Sequence, residues 1–163
     1  MMESSIQTDV VGSALEDYAE RGVFRGFSRS GLHKGKEHFK LMWHRDQMFE
    51  LIADPEKKTL RFPMVLPSVP DDIGMYDAFK VYLKDRQSDT LPDHRRIDPA
   101  RAEIRSVNRG GNVSLTLKVK DDDFEYGTRK LINLVHEIYL DFLSDGLYYD
   151  YLVETFNLDP DSL

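Results

Sequence analysis

Hydrophobic residues in the middle of this 163-residue chain recur with a period of two. Phe39, Leu41 and Trp43 alternate with Lys40, Met42 and His44; Phe49, Leu51 and Ala53 repeat the pattern, as do Leu60, Phe62 and Met64. Successive side chains of a strand point to opposite faces, so this alternation demands strands with one buried face. A tight turn near Arg45-Asp46-Gln47 and the turn signal Asp54-Pro55-Glu56-Lys57-Lys58 separate them, which predicts a three-stranded antiparallel meander within residues 23–67. Pro63 removes a ladder donor and places the third strand at an edge, or ends it there. Before the meander, Phe24 and Phe27 flank Gly26 in an irregular extended piece, and Gly31 and Gly35 mark a loop.

A second stretch of alternation, Ala102, Ile104, Ser106 and then Val113, Leu115, Leu117, Val119, is broken by Asn108-Arg109-Gly110-Gly111. Those glycines supply the positive φ that a hairpin turn requires. Elsewhere the period is helical. Ser13 and Glu16 form a capping box ahead of Ala14, Leu15, Tyr18 and Ala19, with Gly22 as the stop. Met75, Phe79 and Leu83 make one apolar stripe; Leu131, Leu134, Val135, Ile138 and Phe142 make another, which Gly146 ends. Leu147, Tyr151, Leu152 and Phe156 suit a last short helix. Residues 1–12 read as a disordered tail, and 85–100, polar and containing prolines, as a long exposed connection. The expectation is a single α+β domain over 13–163: an antiparallel sheet of five or so strands with helices packed on it, in the order α-βββ-α-ββ-α-α.

Charge is unevenly spread. Residues 121–163 hold eleven acidic residues against Arg129 and Lys130, a net of −9, while the first 120 residues are net +2. An acidic module repels nucleic acid and anionic lipid and attracts a basic protein. The absence of cysteine removes disulfides, zinc–thiolate sites and thiol nucleophiles, and suits a reducing compartment. No secretory signal is read at the N-terminus, and no apolar run approaches the roughly 18 residues of a membrane span. A cytoplasmic protein without cofactor, nucleic-acid or membrane partner is expected, and a monomer is favoured.

Motifs for chemistry are weak. Gly31-Leu32-His33-Lys34-Gly35-Lys36 is too short for a phosphate loop, and Glu37 stands where Ser or Thr is required. His33, His38, His44, His94 and His136 fall in no metal-binding spacing; His38 and His44 sit roughly 20 Å apart along one strand at about 3.3 Å per residue. His136 reads as a half-buried packing histidine. Asp121-Asp122-Asp123 lacks the EF-hand pattern and sits where a helix N-terminus favours carboxylates. Basic residues interleaved with Phe39, Trp43 and Phe49 are a signal for nucleic acid, but these aromatics occupy the inward period. No catalytic or metal residue is predicted, and the chain reads as a non-enzyme.

Phe24-Arg25-Gly26-Phe27-Ser28-Arg29-Ser30-Gly31-Leu32-His33-Lys34-Gly35-Lys36, continued by Phe39-Lys40-Leu41-Met42-Trp43-His44 and Thr59-Leu60-Arg61-Phe62-Pro63, resembles a family of bacterial immunity proteins of contact-dependent growth inhibition systems, of neisserial type. The closing Leu147-Tyr148-Tyr149-Asp150-Tyr151-Leu152-Val153-Glu154-Thr155-Phe156 is similar to that group as well. The resemblance implies a cytoplasmic, non-enzymatic inhibitor of a delivered toxin domain, often a nuclease; it transfers no binding residue. A basic toxin would meet the acidic segment, with Asp121, Asp122, Asp123, Glu125, Asp141, Asp145, Asp150 and Glu154 as candidate contacts. Two alternatives stand beside it: a secretion-chaperone-like adaptor that dimerises and binds an extended client, and an enzyme using His33, His38 or His44.

Overall fold

The computed structural model describes residues 2–44, 47–70, 74–143 and 148–156. Helix α1 (Met2–Glu20) leads into four strands, β1 (Gly26–His33), β2 (Lys36–Met42), β3 (Met48–Asp54) and β4 (Thr59–Leu66). Helix α2 (Met75–Asp85) precedes the hairpin β5 (Ala102–Arg109) and β6 (Asn112–Val119). Then come α3 (Phe124–Glu137), a π-helical turn over Ile138–Phe142, and α4 (Tyr149–Phe156). The six strands form one antiparallel sheet in the order β1-β2-β3-β4-β6-β5. The chain is an α+β domain, as the alternating and helical periods require.

Helices cover one face of this sheet. Phe39, Leu41, Phe49, Leu51, Leu60, Phe62, Leu115 and Leu117 point into the core, where Val11 and Leu15 of α1 and Leu131, Leu134 and Val135 of α3 meet them. Helix α3 comes close because Gly127 has no side chain: a Cβ there would stand 2.8 Å from Val119 Cγ2 and 3.1 Å from Leu117 Cδ2. The other face alternates out of the core and carries Lys40, Arg61, Arg105 and Lys118, all exposed.

Four expectations need correction. Helix α1 begins at Met2, where a disordered tail and a start at Ser13 were expected; Thr8 and Val11 bury against the sheet and extend the buried stripe of Leu15 and Tyr18 backward by two turns. The Gly31–Gly35 loop is instead the end of an extra strand and its turn. β1 pairs with β2 through Phe27↔Leu41 and Arg29↔Phe39, and Lys34 (φ 53°) and Gly35 (φ 79°) form the two-residue turn with positive φ that suits the sheet's twist. Pro63 does not mark an edge strand, because β4 lies between β3 and β6; it follows the last β3 partner, Arg61, and sits where the pairing with β6 shifts between Phe62 and Leu66. The connection 85–100 is folded down: Ile97 is buried and its N–H donates to the Arg86 carbonyl at 2.9 Å.

Candidate partner-binding surface

The fold joins two acidic stretches that lie far apart in sequence. Helix α1 contains Glu3, Asp9, Glu16, Asp17 and Glu20 and no basic residue; the first cation of the chain is Arg21. This helix packs beside α3, whose first turns belong to the acidic C-terminal segment. The Tyr18 hydroxyl donates to Asn133 Oδ1 at 3.4 Å, and Arg129 reaches Asp17 at 3.3 Å. Between the two helices runs a groove of about 490 Å³ with Ile6, Val10 and Ala14 on its apolar side and Asp9, Glu16, Asp17, Glu20 and Glu125 around it; Arg129 is its one basic lining residue. Ile6 is 61% exposed and Val10 36%, high values for apolar residues on a well-packed helix.

Of the eight predicted contact residues, the structure gathers four near the start of α3 and turns most of them inward electrostatically. Asp121 and Asp123 accept from Arg101 at 3.0 and 2.6 Å, and Asp122 lies 2.9 Å from Lys58. Asp123 also caps α3, accepting the Tyr126 N–H at 3.0 Å. The Arg101 hydrogen bond holds the Asp121 carboxyl below its ordinary pKa, and the same guanidinium lies 3.7 Å over the Tyr126 ring. Glu125 pairs with Arg129 along the helix at 3.3 Å. Asp141 stands about 24 Å further along the axis at 1.5 Å rise per residue. It accepts from Arg95 at 3.2 Å beside the Arg86–Glu137 pair at 2.8 Å. Asp150 and Glu154 are exposed on α4, which Tyr151 anchors by donating to the Pro67 carbonyl at 2.6 Å. Asp145 lies outside the described residues, as does Gly146. The candidates therefore form no single patch.

His44 and His136 stack with ring centroids 5.2 Å apart, while His33 and His38 stand apart on the hairpin of β1 and β2. His38 Nδ1 lies 3.3 Å from Glu50 Oε2 on the open sheet face, and His33 is exposed at the end of β1. His44 stacks on Tyr139 at 4.6 Å and meets Trp43 at a tilt, 4.4 Å between ring centroids. His136, expected half-buried, is exposed, because it caps this aromatic column from outside, parallel to Trp43 at 6.4 Å. Two further cavities, one of about 440 Å³ beside Arg96, Arg101 and Lys130 and one of about 180 Å³ beside Arg105 and Lys118, are lined by none of His33, His38 or His44. Among the described residues no group of His, Asp or Glu could hold a metal ion, and no helix is long and apolar enough to cross a membrane.

Comparison of the chain with protein-family models, with curated proteins and with solved structures returns no match.

Sequence reasoning missed α1 as part of the acidic surface. The available signal was the run of 20 residues without a cation, with Ile6, Val10, Ser13 and Asp17 on one helical face.

Proposed function

We propose that this protein acts by binding, not catalysis: it is an immunity-type inhibitor that recognises a basic toxin domain in the cytoplasm and covers it with its acidic helical layer. The observation that carries this reading is that the fold packs the two acidic segments of the chain side by side. Helix α1, net −5, packs against the start of the net −9 segment, while residues 21–120, including the whole sheet, are net +7. A surface of one sign raises the encounter rate with a partner of the other, and close charge pairs at such interfaces couple by about 1.5–7 kcal/mol. Nuclease toxins, which hold phosphates, are basic partners of this kind. The test is to read the neighbouring reading frames for a toxin domain and co-express it with this protein: growth protected, and a stable complex recovered, supports the reading. Undiminished toxicity and no complex refute it.

A secretion-chaperone-like adaptor is the second reading, favoured by the exposed Ile6 and Val10, since clients dock on apolar patches. A dimer that holds an unfolded client would favour it over inhibition.

A further inference from the structure

The groove between α1 and α3 combines two properties. Its apolar side is a stripe of α1: Ile6 and Val10, one turn apart and both exposed, with the buried Ala14 beneath. Around that stripe stand carboxylates, of which Glu16 and Glu20 have no ion pair among the described residues, while Asp9 and Asp17 keep half or more of their side-chain surface exposed beside Arg29 and Arg129. An apolar floor alone would accept many surfaces, and a charged rim alone would hold only counter-ions. Together they match a segment that carries an apolar side chain flanked by Lys or Arg, as on one face of an amphipathic basic helix. The volume, about 490 Å³, accommodates a few side chains of such a segment and not a whole domain.

We infer that this groove is the anchoring site for a basic amphipathic segment of the partner protein. The inference rests on the basic-partner reading above and moves its centre from the C-terminal carboxylates to α1, with Glu125 the one residue common to both. Apolar side chains of the segment lie on Ile6 and Val10, and its cations face Glu16, Glu20 and Asp17. Removal of the apolar contacts is then felt in the dissociation rate, and reversal of the rim charges in the association rate.

The test uses a synthetic helix-forming peptide with Leu on one face and Lys on the other, its binding to the full chain followed by fluorescence anisotropy. Three variants are compared with wild type: Ile6→Ser with Val10→Ser, Glu16→Lys with Glu20→Lys, and Asp85→Lys with Asp89→Lys as a reversal of equal charge off the groove. All six positions are exposed, and circular dichroism verifies each fold. The expected result is about tenfold weaker binding for the first two variants and less than about twofold for the third. Equal losses for both charge reversals, with no effect of the serine variant, overturn the groove and leave a diffuse electrostatic contact. If the peptide fails to bind while the toxin domain itself does, the groove is wrong and the inhibitor reading stands; if neither binds, both fall. A concentration-dependent dimer abolished by the serine variant assigns the groove to a second copy of this chain and overturns the inference.

Discussion

Replacing Glu37 by Gln tests the least ordinary contact of the fold. Glu37 lies on β2, its side chain 1% exposed, and is held by Arg29 of β1. Arg29 donates from Nε to Oε2 and from Nη2 to Oε1, both at 2.8 Å, and the Gly31 N–H adds a third bond to Oε2 at 2.9 Å. The Glu37 bond pushes the Arg29 guanidinium pKa up from its ordinary value. The same Nη2 reaches Asp9 of α1 at 2.8 Å, and Gly12 gives the guanidinium its space, since a Cβ there would overlap it. One side chain thus ties the edge hairpin to α1.

Breaking a buried pair on one side costs about 3–5 kcal/mol. Here the remaining partner, Arg29, is 29% exposed and keeps Asp9, so the loss falls to about 2–4 kcal/mol. For a domain of this size that lowers Tm by about 4–16 °C. Thermal unfolding followed by circular dichroism reads it directly. Glu37→Gln together with Arg29→Met should recover part of the loss, because the uncompensated charge is then gone. A single-variant cost below about 1 kcal/mol would refute the reasoning, since it would mean that the carboxylate is solvated.

Leu117→Ala, at a fully buried site beneath α3, should cost about 2–5 kcal/mol in urea unfolding; less than about 1 would put the β6 register in doubt. Tyr82 titrates late, its pKa pushed up to about 12 mainly by burial. The folded state therefore favours the neutral phenol. Its contribution is present below the unfolded value of about 10 and disappears as pH rises toward 12. Wild type should lose stability over that window more steeply than Tyr82→Phe, and equal slopes would contradict the burial of this hydroxyl.

Where burial alone dictates the element, the chain is legible from its residues. Leu41, Trp43, Leu51, Phe62, Leu115, Leu117, Leu134 and Ile138 follow their two-fold and 3.6-fold periods into one core. Strand β1 escapes this reasoning because one inward position is Arg29, a residue that a pattern of apolar alternation rejects; only its partner Glu37, eight residues on and across a turn, makes it acceptable there. The first two turns of α1 escape for a related reason: its residues are polar on three sides, and helical order comes from packing on a sheet that is formed later in the chain. Composition likewise reveals the acidic segment but not its internal neutralisation. Lys58, Arg95 and Arg101 come from the body of the chain to meet Asp122, Asp141, Asp121 and Asp123, and only the tertiary structure pairs them. Among the described residues the carboxylates left without an ion pair include Asp150 and Glu154 of α4 and, at the other end of the sequence, Glu16 and Glu20 of α1.

The most direct test of the account is the ionic-strength dependence of association between the proposed toxin domain and this protein, measured by stopped flow for wild type and for Glu16→Lys with Glu20→Lys. Recognition by the acidic helical layer predicts a wild-type rate constant that falls steeply between about 0.01 and 0.15 M salt, as the Debye length shrinks from about 30 to 8 Å. It also predicts a variant whose rate is lower and whose salt dependence is flatter. A rate constant indifferent to salt, or one that the reversals leave unchanged at low ionic strength, would contradict it.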